Sequence, residues 1–316
     1  MSVECVIGLD IGGTKIAGGV VAFPEGLVRC RRTIATRADR GGEPVLQEVI
    51  ALARELFDQA RAMGLEPVGI GAGVAELVDL SGNVTSGATL RWKGTPVAER
   101  LSEIAPAVVE SDVRAAALGE AWLGAGRGFR EFVYVTVGTG ISSTLVQGGR
   151  PYAGARGNAL VMASAPASTT CNACGTQLHP VLEEFASGPA MARRYAAAGG
   201  HSVCRGEDVT AAAEAGVPLA VEIVSSAGEA LGVGVAFLAN VLDPAALVVG
   251  GGVGLCGGLY WRTFEASTRA HIWAENTREL PILPARLGPD AGMIGAAASY
   301  WYRGFGSNGK SNLREE

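Results

Sequence analysis

Residues 3–23, VECVIGLDIGGTKIAGGVVAF, decide how the rest of the sequence is interpreted. Two apolar runs flank the turn GGTK at residues 12–15, and this pattern predicts a β-hairpin. Adjacent glycines let backbone N–H groups approach an anion without an intervening Cβ, so the turn is a candidate phosphate site. Asp10, which ends the first run, is a candidate Mg²⁺ ligand, directly or through water. An ordinary tight hairpin has the same pattern, so both interpretations stay open at this point.

The composition is that of a globular protein with two domains. The chain has 316 residues, of which 48% are hydrophobic and 18% are charged. A net charge of −5 argues against nucleic acid as the main partner, because phosphate backbones require a basic surface. We find no apolar run of roughly 18 residues and no basic segment followed by a signal-peptide core. We therefore expect a cytoplasmic protein with no membrane partner.

Two later stretches repeat the pattern of a strand that runs into a glycine turn. One is the strand at 132–137 followed by GTG at 138–140, and the other is the strand at 245–249 followed by GGG at 250–252. Two similar hairpins, one at the start of each half, predict two similar domains that face each other across a cleft. The three turns would then hold the β- and γ-phosphates, a second phosphate region and the adenosine of one nucleotide.

Asp112 is the carboxylate best placed for proton transfer. It follows a short strand at 107–110 and precedes an alanine-rich helix at 113–123. We expect the free N–H groups at the start of this helix to orient the carboxylate and keep it ionised. Phosphoryl transfer needs such a group to orient an acceptor hydroxyl. Common nucleotide motifs do not fit, because Ser143 replaces the third glycine of a dinucleotide fingerprint and Thr14 precedes a lysine instead of following it.

Five stretches in order resemble the ROK family of bacterial sugar kinases over nearly the whole chain: LDIGGTKIAGGVV, ESDVRAAALGEAWLGAGRG, VYVTVGTGISSTLVQGGRPYAGARG, NVLDPAALVVGGGV and DAGMIGAA. The resemblance implies an α/β fold of the two-domain actin-like ATPase (ribonuclease H-like) type with an interdomain cleft, and usually a homodimer. We expect a smaller N-terminal domain at 1–120 plus 296–316, a larger domain at 121–295, and a disordered tail at 304–316. Family repressors carry an N-terminal helix-turn-helix, which we do not expect here because the sequence starts at the hairpin.

The resemblance also implies the site residues. It assigns ATP and Mg²⁺ binding to three sets: Asp10, Gly12, Gly13, Thr14 and Lys15; Gly138, Thr139 and Gly140; and Gly250, Gly251 and Gly252. It places Asp112 on the family's catalytic base, and a helix cap without catalytic function is the alternative.

The departures from the family are concentrated on the acceptor side. The family motif HGxAGEIGH reads RGNALVMAS at 156–164, so a valine stands where a glutamate binds the sugar's reducing end. Ser111 replaces an asparagine that touches the sugar, and the asparagine usual before the tryptophan-containing turn is not evident at 88–92. Ala75-Glu76 stands in place of a Pro-Gly, and Glu76 is either a new carboxylate of the pocket or an exposed loop acid. The candidate substrate residues are Glu76, Ser111, Arg156, Asn158 and Val161.

The family's zinc motif is also altered. Cys171, Cys174 and His179 have plausible ligand spacing, but a structural zinc usually takes four protein ligands. We expect zinc, if it binds, to recruit His201 or Cys204 as the fourth ligand.

The sequence therefore predicts an ATP- and Mg²⁺-dependent kinase that acts on a hydroxyl of a sugar-like molecule. The altered reducing-end contacts favour a cyclitol acceptor, as for ROK-like kinases of C7-cyclitol pathways. A glucokinase or N-acetylhexosamine kinase, such as an N-acetylmannosamine kinase, is one alternative. A non-catalytic protein that uses the ATP fold for binding or sensing is the other.

Overall fold

The computed structural model describes residues 3–171, 173–200 and 205–305, without the side chains of Thr169, Gly304 and Phe305. These residues form two compact units. Unit 1 contains the described residues of Met1–Gly128, Val146–Ala159 and Pro289–Glu316, and unit 2 contains those of Phe129–Leu145 and Leu160–Gly288. The units differ from the domains expected at 1–120 plus 296–316 and at 121–295, because residues 121–128, 146–159 and 289–295 pack with unit 1.

The strands are β1 (Glu4–Ile11), β2 (Lys15–Ala22), β3 (Leu27–Ala35), β4 (Glu66–Val74), β5 (Ala107–Ser111), β6 (Glu131–Val137), β7 (Ile141–Gln147), β8 (Arg150–Pro151), β9 (Thr169–Thr170), β10 (Gln177–Leu178), β11 (Leu247–Gly250) and β12 (Ile282–Pro284). The α-helices are α1 (Gly42–Ala62), α2 (Val97–Ser102), α3 (Asp112–Leu123), α4 (Leu182–Ala186), α5 (Gly188–Ala197), α6 (Gly206–Glu214), α7 (Pro218–Leu242), α8 (Gly258–His271) and α9 (Ala291–Phe305). Short 3-10 helices lie at Ala38–Arg40, Glu275–Thr277 and Gly288–Asp290.

Unit 1 is built on a five-stranded sheet in the order β3-β2-β1-β4-β5. The predicted opening hairpin is confirmed, since β1 pairs antiparallel with β2 and Ile11 lies opposite Ile16. β4 is parallel to β1, and β5 is parallel to β4. The carboxyl ends of β1, β4 and β5 therefore meet at one edge of the sheet, which is where ligands bind in open α/β sheets.

The two faces of this sheet are covered by α1 and by α9. β1 is buried on both faces, which is why it reads as a continuous apolar run. Two glycines let α9 approach the strands closely. A Cβ on Gly8 would meet the backbone oxygen of Met293, and a Cβ on Gly71 would meet that of Ala296.

Unit 2 contains most of the second sheet, whose order is β12-β11-β6-β7-β8. β11 is parallel to both β6 and β12. The long helix α7 packs along α8 and contributes Leu231 and Val235 to a core that includes Val135 and Phe264. β8 pairs antiparallel with Val146 and Gln147, the last two residues of β7. These two residues of β7, like β8, belong to unit 1. Both units are mixed α/β structures, as expected.

The C-terminal tail and the apolar helix α7 bear on two further expectations. The predicted tail at 304–316 is helical in its first two residues, because α9 continues to Phe305, and 306–316 lie outside the described residues. Among the described helices, α7 alone is long and apolar enough to cross a membrane by length and composition. Half of its most apolar window is buried in the protein, and the core helix of a globular protein meets the same criterion.

Candidate active site

The first glycine turn is held in place by backbone contacts. Gly12 N–H donates to the carbonyl oxygen of Lys15 at 3.0 Å, and the Thr36 hydroxyl donates to the carbonyl oxygen of Gly12 at 2.6 Å. A Cβ on Gly13 would lie 2.6 Å from Cγ2 of Thr89, so the absence of a Cβ leaves room for this methyl group of the neighbouring loop. Thr14 and Lys15 complete the turn with exposed side chains. These contacts fix a tight turn with two adjacent glycines and exposed side chains.

Asp10 and Asp112 lie beside this turn at the edge where the parallel strands end. Asp10 is paired across β1 and β4 with Gly73, and a Cβ on Gly73 would lie 3.6 Å from Cα of Asp112. Burial raises the pKa of Asp10 to about 6, although Lys15 acts to lower it. The structure therefore brings two carboxylates of unit 1 together beside the first glycine turn.

Asp112 has a higher pKa than we expected from its place at the start of α3. Burial and the neighbouring Asp10 raise its pKa to about 7, with a smaller contribution from Glu76. The hydrogen bond from Val113 N–H to Oδ1, at 2.7 Å, and the charge of Arg114 act in the opposite direction but are outweighed. The expectation that the helix start keeps this acid ionised was wrong, because burial raises its pKa more than the single N–H hydrogen bond lowers it.

Ser111 is the N-cap residue of α3, but its side chain makes no capping hydrogen bond. The residue is 5% exposed, and among the described residues its Oγ is a buried oxygen without a partner. A buried hydroxyl without a partner costs free energy. Ser111 therefore offers a donor and an acceptor directly beside Asp112.

Glu76 is neither an exposed loop acid nor a carboxylate with free oxygens. It is 6% exposed, and it accepts hydrogen bonds from the Ser86 hydroxyl and from the backbone N–H groups of Ala88, Thr89 and Leu90. The exposed-acid interpretation is thus wrong, because the side chain turns inward to bind a loop.

The remaining acceptor-side candidates are divided between the units. Arg156 and Asn158 are exposed residues of unit 1, on either side of Gly157, whose carbonyl oxygen accepts a hydrogen bond from Arg114 Nη1 at 2.6 Å. Val161 belongs to unit 2 and is 44% exposed. Sequence reasoning missed Arg114, which is 5% exposed and joins α3 to this segment and to the carbonyl oxygen of Val78. No local pattern marks such a long-range contact.

The two other glycine turns lie side by side in unit 2. They follow β6 and β11, which are parallel neighbours, and a Cβ on Gly138 would lie 3.8 Å from the backbone nitrogen of Gly252. Gly251 has a φ of +82°, and a Cβ there would meet the carbonyl oxygen of Val137. A Cβ on Gly250 would likewise meet the hydroxyl of Tyr134. Glycine is therefore required at both positions.

A carboxylate that sequence reasoning missed supports the second turn. Glu183 Oε2 accepts the backbone N–H of Ile141 at 2.7 Å, and a Cβ on Gly140 would lie 2.6 Å from the same oxygen. Gly138 closes the turn by donating its N–H to the carbonyl oxygen of Gly140 at 2.8 Å, and Thr139 between them is exposed. The structure thus brings the second and third predicted nucleotide sets together.

The predicted zinc ligands do not form a metal site in the part of the chain that the structure describes. No three His, Cys, Asp or Glu side chains there are grouped to hold a metal ion. Hydrogen bonds from Thr176 and from Cys171 lower the pKa of Cys174 to about 7, whereas His179 Nδ1 lies 3.4 Å from the Ser168 hydroxyl. The proposed fourth ligands, His201 and Cys204, lie outside the described residues. The described residues therefore do not fit zinc, and its binding stays a prediction for metal analysis.

Comparison with known proteins places this geometry in context. The model of the ROK family matches residues 6–301. The chain is 31% identical to a glucokinase of Streptomyces coelicolor, over 92% of this chain and 96% of that protein. It is 29% identical to an N-acetylmannosamine kinase of Citrobacter koseri, over 92% and 97% of the two chains.

A solved structure agrees with these sequence matches. A ROK family glucokinase from Streptomyces griseus, in complex with glucose and AMPPNP, is 30% identical and superposes with a TM-score of 0.80 over 93% of this chain and 98% of that chain. Together with the two α/β units and their five-stranded sheets, this match confirms the expected actin-like ATPase fold class.

Proposed function

The chain belongs to the ROK family and is an ATP-dependent carbohydrate kinase, and from this premise we propose that Asp112 is the general base that activates the acceptor hydroxyl. One observation carries the proposal: the Asp112 carboxylate lies beside Asp10 and the Gly12–Gly13 turn, with its pKa raised to about 7. A base with a pKa near the working pH combines the ionised form with useful basicity.

The proposed step is a single phosphoryl transfer. An acceptor hydroxyl donates a hydrogen bond to the Asp112 carboxylate, and its oxygen forms a bond to the γ-phosphorus of ATP. The hydroxyl proton moves to Asp112 as the bond between the γ-phosphorus and the bridging oxygen breaks, and ADP leaves with that electron pair. In such reactions the protein acts mainly by positioning and by stabilising charge.

The donor side is assigned to the three glycine turns. We assign the β- and γ-phosphates to the turn of Gly12, Gly13 and Thr14, which the hydrogen bond from Gly12 N–H to the carbonyl oxygen of Lys15 shapes, with the exposed side chain of Lys15 beside them. The turn at 138–140 would bind further phosphate oxygens, and the turn at 250–252 would bind the adenosine. The shape of the turns supports this assignment: a Cβ at Gly250 or Gly251 would meet protein atoms, whereas a Cβ on Gly252 would point into open space that a ligand can enter.

Asp10 fits a Mg²⁺ ion that accompanies ATP. No N–H or O–H group of the described residues donates to its carboxylate, and Mg²⁺ binds through one or two carboxylates together with substrate phosphates. When bound, the ion would neutralise charge on the transferring phosphate. The contribution of this chain is to hold the Asp10 carboxylate beside the phosphate turn.

The acceptor is proposed to be a sugar-like cyclitol. Val161 cannot accept a hydrogen bond from a reducing-end hydroxyl, and a site without such an acceptor does not discriminate in favour of that hydroxyl. Ser111 supplies a smaller polar group next to Asp112 than the asparagine it replaces. Glucose and N-acetylmannosamine are the competing acceptors, since relatives carry the names glucokinase and N-acetylmannosamine kinase.

A panel of acceptors tests the proposal. Glucose, N-acetylmannosamine, N-acetylglucosamine and valiolone-type cyclitols would be assayed by ADP release, with the product identified by phosphorus NMR. We expect the highest kcat/KM with a cyclitol, and robust glucose turnover would overturn that choice. Asp112→Asn serves as the matched negative control. ATP binding without transfer to any acceptor would favour the non-catalytic alternative.

We also propose a cytoplasmic homodimer. The exposed face of α7 carries Val233, Phe237 and Val241 at intervals of four residues, and Phe237 is 61% exposed. Trp273, which is 86% exposed, lies next to this face because its N–H donates to Asn240 at 2.9 Å. Contiguous exposed apolar side chains favour association. Light scattering should give twice the chain mass, and Phe237→Glu should give the monomer; a monomeric wild type would contradict the proposal.

A further inference from the structure

We propose that Glu76 is a positioning residue whose buried carboxylate holds residues 86–90 beside the first glycine turn and so shapes the acceptor side of the active site. The anchoring itself is independent of the reaction. Its effect on the acceptor rests on the proposed function.

The contacts of Glu76 define a complete anchor. Oε1 accepts the N–H groups of Thr89 at 2.9 Å and of Leu90 at 2.6 Å, and Oε2 accepts the N–H of Ala88 at 3.0 Å and the hydroxyl of Ser86. A carboxylate that receives four donors in a buried position is worth more than an ordinary surface contact. Residues 86–90 therefore depend on one side chain for most of their hydrogen bonds.

The segment is fixed at both ends as well. On one side, the Ser86 hydroxyl accepts the N–H of Leu77 at 2.8 Å, which joins the segment to the small hairpin that follows Glu76. On the other side, Leu90 and Trp92 are buried, and Trp92 Nε1 donates to the carbonyl oxygen of Gly42 at 2.8 Å. Glu76 thus holds the middle of a segment whose two ends are fixed by other contacts.

The segment reaches the reaction site through Thr89. Its methyl group packs against Gly13, where even one added Cβ would approach to 2.6 Å. Glu76 itself is close enough to Asp112 to raise the pKa of that acid. Residues 87–89 are exposed, and their segment contacts the phosphate turn through Thr89 while its anchor Glu76 lies near the proposed base, so we assign this segment to the acceptor side of the site.

Two departures from the family pattern are therefore one structural change. The acid at position 76 replaces a Pro-Gly, and residues 88–92 lack the usual asparagine, but the two sites are joined by hydrogen bonds. A backbone segment locked by a carboxylate replaces a site formed by a polar side chain. We expect this substitution to alter the acceptor site more than the donor turn, because the turn has hydrogen bonds of its own to Thr36 and Lys15.

Hydrogen exchange tests the anchoring without any substrate. In Glu76→Gln, an amide NH₂ group faces backbone N–H donors, so we expect the amides of Ala88, Thr89 and Leu90 to exchange about tenfold faster or more. Asp79→Asn is the matched control, because Asp79 accepts the N–H groups of Ser81 and Asn83 in the adjacent hairpin. It should accelerate exchange only in that hairpin. Unchanged exchange at 88–90 in the glutamine variant would overturn the proposal.

Kinetics test the consequence for the acceptor. We expect Glu76→Gln to raise the KM for the acceptor about tenfold or more and to change the KM for ATP less than threefold. Ser86→Ala, which removes one of the four donors, should give a smaller change in the same direction and remains informative if the glutamine variant does not fold. Fast exchange with an unchanged acceptor KM would refute the positioning role. If the wild type phosphorylates no acceptor, the proposed function fails while the exchange result still decides the anchoring.

Discussion

The substitution Asp112→Asn should make the protein more stable at pH 8 while it removes activity. The fold raises the pKa of Asp112 from 3.8 to about 7. At 1.36 kcal/mol per pKa unit, ionising this acid at pH 8 costs the folded state about 4 kcal/mol relative to the unfolded chain. Relaxation of the protein and water penetration reduce the cost of a buried charge, so we expect a net gain of about 2 kcal/mol for asparagine.

The sign of the pH dependence makes this prediction specific. Because the folded-state pKa is raised, the unfolded chain loses its proton first, and the wild-type protein loses stability as the pH rises from about 4 to about 7. The gain from Asp112→Asn should therefore be absent at pH 4 and complete above pH 7. It corresponds to about 4 °C in Tm for a protein of this size.

Thermal denaturation at several pH values, together with kcat, provides the assay. Loss of the base should lower kcat by about 10²–10⁴-fold, while ATP affinity is retained. Asp79→Asn is a control of opposite sign, since hydrogen bonds from Asn83 lower the pKa of that exposed acid. A Tm gain that does not vary with pH, or a kcat within tenfold of the wild type, would refute the reasoning.

Three further outcomes are expected. The kcat/KM of the wild type should fall as the pH decreases below about 7. Glu76→Gln should move this acidic limb of the pH profile to lower pH, because it removes a negative charge that raises the pKa of Asp112. Coincident pH profiles of the two proteins would contradict this. Gly251→Ala should lower the Tm and weaken ATP binding, measured by calorimetry, at least about tenfold, because the φ of Gly251 is +82° and a Cβ would meet a backbone carbonyl. Gly252→Ala is the control: a Cβ there would point into open space, so this variant should keep the wild-type Tm. Asp10→Asn should raise the Mg²⁺ concentration for half-maximal activity about tenfold, measured at fixed ATP, and an unchanged requirement would exclude Asp10 as the Mg²⁺ ligand.

The glycine turns were predictable from sequence because their physical cause is local. A strand followed by adjacent glycines constrains the backbone within a few residues, and the hairpin of β1 and β2 formed as expected. The turns at 138–140 and 250–252 follow strands for the same reason. Family resemblance then supplied their order and the position of Asp112, which the strand order β1-β4-β5 places beside Asp10.

The protonation of Asp112 and the role of Glu76 were not predictable, because both depend on contacts between distant parts of the chain. The N-terminal position of Asp112 on α3 is visible in the sequence, but the burial that raises its pKa is not. Three of the four donors to Glu76 are backbone N–H groups 12 to 14 residues away, which carry no residue-type signal. Arg114 and Glu183 were missed for the same reason.

The close packing of α9 against β1 and β4 also determines when unit 1 can fold during synthesis. Gly8 and Gly71 are synthesised well before the helix whose Met293 and Ala296 carbonyls lie against them. Until then one face of the sheet lacks its cover. Residues 129–145 and 160–288, which form unit 2, have all left the ribosome before α9 does. Nascent unit 1 is therefore an incomplete domain until unit 2 has been synthesised, and a chain truncated before residue 291 should not acquire a stable first sheet.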